Sequence, residues 1–186
     1  NVGVNADDNE SAQVFASGVI VRAYNESYSN FRAEESLASF LKKHDTMGVC
    51  EIDTRAIVAM LRQEGSQKAV MSTEEFDLNV LKTLLEQSED MSEINFMPTV
   101  STKERYTHSV GVWDNETQNY KEVQSIHKKI VAIDFGVKRN ILNELAQTGL
   151  EVEVYPWNFD QNELISRFEK GEIGGVFLSN GPGDPL

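Results

Sequence analysis

The sequence contains one cysteine, Cys50, so no disulfide can form within the chain, and a reducing cytosol is the compartment that this composition favours. No apolar run approaches the roughly 18 residues that a membrane-spanning helix needs. Basic residues are also few, since 17 Lys and Arg stand against 30 Asp and Glu and the net charge is −13. Such a surface repels phosphates. We therefore expect a cytoplasmic protein that binds neither nucleic acid nor membrane.

Histidine is equally sparse, and the residues that could carry metal or nucleophilic chemistry are scattered. His44, His108 and His127 lie in predicted helix-end or linker segments and lack the spacing of metal ligands. Cys50 lies in a predicted strand without a Gly-x-Cys-x-Gly turn, and a cysteine in that setting is usually a small buried hydrophobic residue. The sequence therefore predicts no metal site and no catalytic residue within these 186 residues.

Hydrophobic residues make up 40% of the chain and charged residues 25%, which is typical of a globular protein of one large or two modest domains. In the N-terminal half, strands are predicted over residues 14–22 and 47–52, and a helix over residues 32–44. A second helix begins at Asp53 or Thr54 and ends at Gly65. Its predicted inward residues are Ile57, Met60 and Leu61.

Ser72 and Glu75 have the spacing of a capping box, in which each side chain accepts a hydrogen bond from the backbone of the other. The helix that this box predicts carries Leu78, Leu81, Leu84 and Leu85. Residues 98–129 then lose the apolar spacing. We interpret them as a linker with a hairpin around Asp114 and Asn115, and we place a domain boundary near Ser125, which gives domains of residues 1–125 and 126–186.

The last 60 or so residues alternate regularly between strand and helix patterns. Strands are predicted at residues 130–133, around Val152 and Val154, and at residues 175–178, with helices over residues 138–147 and 161–170. Ile141, Leu142 and Leu145 are predicted to face inward from the first helix. The second helix is predicted from the apolar spacing of Leu164, Ile165 and Phe168. This βαβαβ order predicts an α/β fold with an open parallel sheet and right-handed crossovers.

Ligands bind beyond the carboxyl ends of the strands in such sheets. Asp134, Phe135 and Gly136 follow the first predicted strand, and residues 179–185 follow the third. In the second segment, Gly181 and Gly183 flank Pro182. Glycine permits close approach of the backbone and lets N–H groups point outward, which suits a carboxylate or an oxyanion. A plain tight turn is the alternative interpretation.

Residues 131–142 (VAIDFGVKRNIL) and 176–185 (VFLSNGPGDP) resemble the opening of the glutaminase domain in the small subunits of carbamoyl-phosphate synthetase. Residues 1–5, 29–32 and 52–56 are similar to that family's own N-terminal domain. The resemblance implies a partial small-subunit N-terminal α/β domain. The first βαβαβ of a flavodoxin-like, triad-type glutamine amidotransferase domain would follow it.

The resemblance also implies the chemistry. The backbone around Gly181 and Gly183 would contact glutamine and help to stabilise an oxyanion. The family's cysteine nucleophile and its His and Glu would follow Leu186, and a serine that touches glutamine would precede Asn1. We therefore expect a chain truncated at both ends that is inactive alone. The complete protein would supply ammonia to a large synthetase subunit, which uses ATP and Mg to make carbamoyl phosphate for arginine and pyrimidine synthesis; no cofactor is expected in this chain.

Two other interpretations stay open. The chain can be a non-catalytic docking module for the large synthetase subunit, in which case no cysteine elbow is needed. It can also be an unrelated flavodoxin-like binding domain, which would bind its ligand at Asp134 and Ser179 and have no affinity for a synthetase subunit.

Overall fold

The computed structural model describes residues 3–123 and 125–183, and the chain divides into two compact units, Asn1–Ile94 and Asn95–Leu186. We call them the N-terminal and C-terminal units. The division precedes the predicted boundary near Ser125, because residues that the sequence assigns to a linker pair and pack with the parallel sheet of the C-terminal unit. Where the family's own domains divide stays a prediction.

The described part of the N-terminal unit combines a small parallel sheet with short helices. Strands β1 and β2 pair in parallel, with Gly18 opposite Met47. The elements in chain order are β1 (Gly18–Ile20), α1 (Leu37–Lys43), β2 (Met47–Val49), α2 (Thr54–Glu64), α3 (Leu78–Gln87) and a 3-10 turn (Met91–Glu93).

Helix α2 begins and ends where the sequence predicts. The Asp53 carboxylate accepts hydrogen bonds from the backbone N–H groups of Arg55 and Ala56, both at 3.1 Å. Gly65 follows the last turn with a φ of 81°, and its N–H donates to the Leu61 carbonyl. These are the N-terminal carboxylate cap and C-terminal glycine that a helix prefers.

The predicted capping box at Ser72 is wrong in part. The Ser72 hydroxyl does accept a hydrogen bond from the Glu75 N–H at 2.8 Å. The Glu75 carboxylate, however, accepts from Phe76 and Asp77 instead of reaching back. The chain therefore makes a turn at this point, and α3 begins later, capped by the Asp77 side chain.

The predicted inward face of α2 and the apolar side chains of α3 are covered only in part in the described unit. Met60 and Leu61 are 39% and 38% exposed, and Leu84 is 51% exposed. A sheet of two three-residue strands offers too little surface to cover both helices. Among the described residues, the fully buried hydrophobic side chains all lie in the C-terminal unit.

The C-terminal unit contains the main sheet and a separate hairpin, and the hairpin is the one predicted around Asp114. The elements in chain order are α4 (Met97–Val100), β3 (Tyr106–His108), β4 (Val110–Asp114), β5 (Asn119–Glu122), β6 (Lys128–Asp134), α5 (Arg139–Gln147), β7 (Leu150–Pro156), α6 (Gln161–Glu169) and β8 (Val176–Leu178).

The main sheet has the strand order β3-β7-β6-β8. Strand β6 pairs in parallel with both β7 and β8, and β3 joins the far edge of β7 as an antiparallel strand. Numbered by their sequence, the parallel strands therefore stand in the order 2-1-3, which is the beginning of the flavodoxin-like order. The predicted α/β fold with a parallel βαβαβ unit is confirmed.

The sheet buries both of its faces, as a continuous apolar strand requires. One face joins β6 and β7 to α5 through Ile130, Ala132, Val152, Val154 and Leu142. The opposite face joins the same strands to α6 and to the loop between α6 and β8 through Val131, Ile133, Tyr155, Leu164 and Ile173.

The buried residues of α5 differ from the predicted inward set, and those of α6 are fewer than its apolar residues. On α5, Leu142 is buried together with Asn143 and Ala146, which the apolar pattern did not include. On α6, Leu164 is buried, but Ile165 and Phe168 are 48% and 57% exposed. The physical reason is that α6 packs against β6 and β7 on that face, whereas the apolar side chains of the edge strand β8 stay exposed.

Among the residues described, no helix combines the length and the apolar character needed to cross a bilayer.

The two-faced core makes a direct prediction. Ile133 has no exposed surface, so Ile133→Ala should lower the free energy of unfolding by about 2–5 kcal/mol through lost burial and a cavity. Ile165→Ala is the matched control, because Ile165 is 48% exposed and should cost no more than about 0.5–1 kcal/mol. Urea titration of the two variants measures the difference as a shift in midpoint. Equal midpoint shifts would contradict this description of the core.

Candidate functional site

The carboxyl ends of the three parallel strands meet at one edge of the sheet, and polar side chains lie there. Asp134 is the last residue of β6 and Ser179 directly follows β8. Both are nearly buried, at 7% and 8% exposure. A buried carboxylate or hydroxyl is costly unless it is hydrogen-bonded, so its partners reveal what the side chain does.

Asp134 accepts three hydrogen bonds from backbone N–H groups. Its Oδ1 atom accepts from Gly136 and Val137, both at 2.8 Å. Its Oδ2 atom accepts from Thr102 at 2.7 Å. The carboxylate therefore shapes the turn that leads from β6 into α5 and, at the same time, holds a segment that lies 32 residues earlier in the chain.

Ser179 links the end of β8 to the end of β6. Its Oγ atom accepts a hydrogen bond from the Phe135 N–H and donates one to the Asn180 carbonyl, both at 2.9 Å. Asp134 and Ser179 are thus engaged with the backbone. This arrangement speaks against the interpretation in which the two side chains themselves bind a ligand.

Residues 181–183, which we call the glycine turn, lie against the turn after β6. A Cβ atom on Gly181 would lie 2.7 Å from the Phe135 carbonyl oxygen, closer than real Cβ atoms come. Gly183 has a φ of 104°, in the region that glycine adopts readily. At Gly181 the close approach is made to the protein's own backbone, and the approach to a ligand stays a prediction. The predicted residues Asp184 and Pro185 lie outside the described residues.

Both glycines of the turn are exposed. Their N–H groups make no hydrogen bond to another residue of the described ranges, 3–123 and 125–183. Both glycines lie at the carboxyl end of the third parallel strand, where the sequence predicts a ligand site. That Gly181 and Gly183 contact glutamine stays a prediction.

A third segment borders the glycine turn, and the sequence reasoning missed it. Residues 96–102, which we call the wall segment, include α4. A Cβ atom on Gly181 would lie 3.2 Å from Met97 Cε, and one on Gly136 would lie 3.3 Å from Val100. One signal was available: Asn95 followed by Pro98 is typical of a helix start, and the Asn95 side chain does accept a hydrogen bond from the Met97 N–H.

Cys50 lies in the N-terminal unit directly after β2, and it is exposed. The prediction of a buried cysteine is therefore wrong. The strand ends at Val49, and Glu51 turns the chain with a φ of 64°. Cys50 therefore lies in the turn after the strand and not within it.

The three histidines occupy separate elements. His44 caps the end of α1, and His127 precedes β6. His108 Nε2 lies 2.8 Å from Asn143 Oδ1 and 3.1 Å from the Val110 carbonyl, so this nitrogen carries the proton that it shares between two acceptors. Within the described part of the chain, no group of three or more His, Cys, Asp or Glu side chains is placed to hold a metal ion.

Charged residues form a network around the end of β7. The Arg105 guanidinium donates to both carboxylate oxygens of Glu163 at 2.7 and 2.6 Å, and it lies 3.9 Å from the centre of the Tyr155 ring. Hydrogen bonds from Arg105 hold the pKa of Glu163 below its usual value. Sequence reasoning could not find this pair, because its partners are 58 residues apart.

Glu153 of β7 belongs to the same network. It accepts a hydrogen bond from Arg167 at 2.6 Å and lies 3.0 Å from Lys129. The hydrogen bond from Arg167 is the main cause that lowers the pKa of Glu153, against the opposing effect of burial. Its side chain is 19% exposed, so solvent screens the interaction only in part.

Comparison with known proteins agrees with the fold in both halves. Residues 1–71 match the family of the carbamoyl-phosphate synthase small chain, CPSase domain, and residues 131–186 match glutamine amidotransferase class-I. The chain is 52% identical over 184 residues to the carbamoyl phosphate synthase small chain of Campylobacter jejuni, covering 99% of this chain and 50% of that one. It is 48% identical over 185 residues to the small chain of Helicobacter hepaticus, covering 100% and 49% respectively. The chain belongs to the family of carbamoyl-phosphate synthase small chains.

The family extends beyond bacteria. The chain is 38% identical over 188 residues to the chloroplastic carbamoyl phosphate synthase small chain of Arabidopsis thaliana, covering 100% of this chain and 42% of that one. The chain spans about half the length of these relatives. Asp134, Ser179 and the glycine turn lie within the residues that match the amidotransferase family, whereas the wall segment lies between the two matched regions.

The close contact at Gly181 yields a prediction. Gly181→Ala must push the Phe135 carbonyl away, and an overpacked contact of this kind costs about 1–3 kcal/mol of unfolding free energy. Gly175→Ala is the matched control, because nothing lies within 4 Å of its Cβ position. Denaturant midpoints of the two variants measure the difference. A Gly181→Ala variant as stable as the Gly175→Ala variant would show that the turn is not held against Phe135.

The lowered pKa of Glu153 predicts how stability depends on pH. A carboxyl group with a lowered folded-state pKa stabilises the protein above its unfolded pKa, and that contribution is lost as pH falls through the folded-state value. Glu153→Gln should therefore lower the unfolding free energy by about 1–3 kcal/mol at pH 7. The difference from the unmodified chain should shrink below about pH 4.

Urea titrations between pH 3 and pH 7 measure this dependence. The control is Glu169→Gln at the exposed end of α6, which should follow the unmodified chain throughout. A Glu153→Gln difference that stays constant with pH would contradict the role of the Arg167 hydrogen bond.

Proposed function

We propose that these residues serve a glutamine-hydrolysing small chain of carbamoyl-phosphate synthase, and that the glycine turn supplies the oxyanion side of its active site. Membership in the small-chain family and the matched amidotransferase region support the proposal. The observation that carries it is the position of Gly181 and Gly183, two exposed glycines with accessible N–H groups at the carboxyl end of the third parallel strand.

Glutamine hydrolysis by a cysteine nucleophile requires such hydrogen-bond donors. A cysteine thiolate attacks the carbon of the glutamine side-chain amide, and the carbonyl oxygen becomes an oxyanion in the tetrahedral intermediate. Ammonia then leaves as the thioester forms, and water cleaves the thioester to glutamate. Backbone N–H groups that point at the developing oxyanion contribute about 3–4 kcal/mol each in comparable sites. We propose that Gly181 and Gly183 provide this contribution.

The nucleophile belongs elsewhere in the proposed site. Cys50 is exposed in the N-terminal unit, in the connection between β2 and α2, and its neighbours lack the Gly-x-Cys-x-Gly pattern of a nucleophile elbow. On the resemblance, we propose that the cysteine, histidine and glutamate of the triad come from residues after Leu186, and that a serine before Asn1 also touches glutamine. The 186-residue chain alone should then release no ammonia from glutamine.

The remaining roles are also proposals. The partner is a large synthetase subunit, which takes up the ammonia and uses ATP and Mg with bicarbonate to form carbamoyl phosphate. The product serves arginine and pyrimidine synthesis, and the protein works in the cytoplasm. The similarity to carbamoyl phosphate synthase small chains supports the partner most directly.

A non-catalytic docking module is the second candidate. Exposed apolar side chains next to the edge strand favour it, since a large apolar patch commonly marks an interface. The patch consists of Ile165, Phe168, Val176 and Leu178. Such a module would bind the large subunit and leave glutamine intact.

The test measures ammonia release from glutamine by the complete protein that the gene encodes. Gly183→Ala should lower kcat about 100-fold or more, because an alanine at a φ of 104° disturbs the N–H groups of the turn. Gly171→Ala is a matched control: it also has a positive φ, 72°, and nothing lies within 4 Å of its Cβ position. It should keep full activity despite a similar backbone strain.

Two results would contradict the proposal. Equal activity of the Gly183→Ala and Gly171→Ala variants would remove the glycine turn from the active site. Binding of the complete protein to a large synthetase subunit without any ammonia release would favour the docking module.

A further inference from the structure

The wall segment stands beside the glycine turn although it comes from the region before the sheet. Phe96 is the nearest side chain to the Cβ position of Gly183, at 3.9 Å, and Met97 is close to that of Gly181, at 3.2 Å. Val100 approaches Gly136, which in turn approaches Pro182. The wall segment, the turn after β6 and the glycine turn therefore form one contiguous group of contacts.

Two buried side chains anchor the wall segment to the sheet. Ser101 is 5% exposed, and its Oγ accepts a hydrogen bond from the Trp157 N–H at 3.0 Å, just after β7. The Thr102 N–H donates to Asp134 Oδ2 at 2.7 Å, at the end of β6. The segment is thus held at the carboxyl ends of two neighbouring strands.

Asp134 connects the wall segment to the turn on which Gly181 rests. Its second oxygen, Oδ1, accepts from Gly136 and Val137 and so orients the Phe135 carbonyl against Gly181. One carboxylate therefore fixes both sides of the glycine turn. Only a carboxylate offers two acceptor oxygens for these three donors, since an amide offers one oxygen and a donor group.

We propose that Asp134 is a positioning residue, which sets the glycine turn for its substrate by holding the turn after β6 and the wall segment together. The identity of the ligand, glutamine, rests on the proposed function. The claim that Asp134 holds the two segments together concerns this chain alone. Asp134 touches no substrate in this scheme. It acts through Gly136 on one side and Thr102 on the other.

The first experiment measures glutamine hydrolysis by the complete protein that the gene encodes, with Asp134→Asn. The amide presents an N–H₂ group to at least one backbone donor, so the contacts loosen. We expect kcat/KM for glutamine to fall about 10- to 100-fold with a clear rise in KM, in protein that is folded by circular dichroism. A loss explained by a smaller folded fraction, with KM unchanged, would reduce Asp134 to a structural role and overturn the proposal.

Two control variants test whether the change in KM is specific to the Asp134 carboxylate. Asp160→Asn makes the same substitution at the cap of α6, where the side chain accepts from Asn162 N–H, and should leave the kinetics unchanged. Thr102→Ala removes the side chain but keeps the N–H that Asp134 binds, so it should also retain KM. A KM raised equally by Thr102→Ala would assign the effect to the threonine side chain and contradict the role of Asp134.

The second experiment needs no activity. Hydrogen exchange of the complete protein reads the backbone amides directly, and Asp134→Asn should speed exchange at Thr102, Gly136 and Val137, while Asp160→Asn does not. Exchange unchanged at these amides would overturn the proposal. If the unmodified protein releases no ammonia, the proposed function fails, and this exchange experiment still decides whether Asp134 holds the two segments.

Thr102→Pro covers the case in which Asp134→Asn does not fold. It removes the N–H that reaches Asp134 Oδ2 together with the Thr102 hydroxyl, and Thr102→Ala controls for the loss of the hydroxyl. Ser101 already has the extended backbone that a residue before proline prefers, with φ −75° and ψ 151°. We expect the same rise in KM for glutamine. A Thr102→Pro variant with unchanged KM would show that the wall segment does not position the site.

Discussion

The C-terminal unit depends on the burial of strand β6 from both sides. Val131 and Ile133 face α6, whereas Ile130 and Ala132 face α5, so each residue of the run removes apolar surface from water. Because β6 also pairs with a strand on each edge, its backbone is satisfied along most of its length. A strand fixed in this way delivers Asp134 to one defined place at the end of the sheet.

The polar side chains at that end follow from the same constraint. A carboxylate and a hydroxyl that leave water must find partners, and here the partners are backbone N–H groups of loops. These hydrogen bonds therefore hold the loops in fixed positions relative to the strand. The two glycines of the turn are exposed, whereas the neighbouring Asp134 and Ser179 side chains are bonded to the backbone. The proposed oxyanion site would require donors that are held in place in this way.

Local patterns predicted the parallel βαβαβ order and the glycine turn, because strand periodicity and glycine spacing are properties of short stretches. The caps at Asp53 and Gly65 were predictable for the same reason. Burial was harder to predict, since Ile165 and Phe168 have the right spacing but no strand above them. Thr102 could not be predicted at all: its partner is 32 residues away, and its contribution is a backbone N–H that any residue except proline would offer. The exposed position of Cys50 likewise depends on where β2 ends.

The chain order of the wall segment sets the order in which the site can be assembled. Residues 96–102 are synthesised before β6, β7 and β8, although the hydrogen bonds that hold Ser101 and Thr102 are made at the ends of β6 and β7. The segment can therefore dock only after the sheet has formed, and its docking closes a loop of dozens of residues. Folding of this region is consequently governed by non-local contacts, which form slowly. The glycine turn is synthesised after β6, β7 and β8, so its contacts with the wall segment can form only once those three strands have emerged.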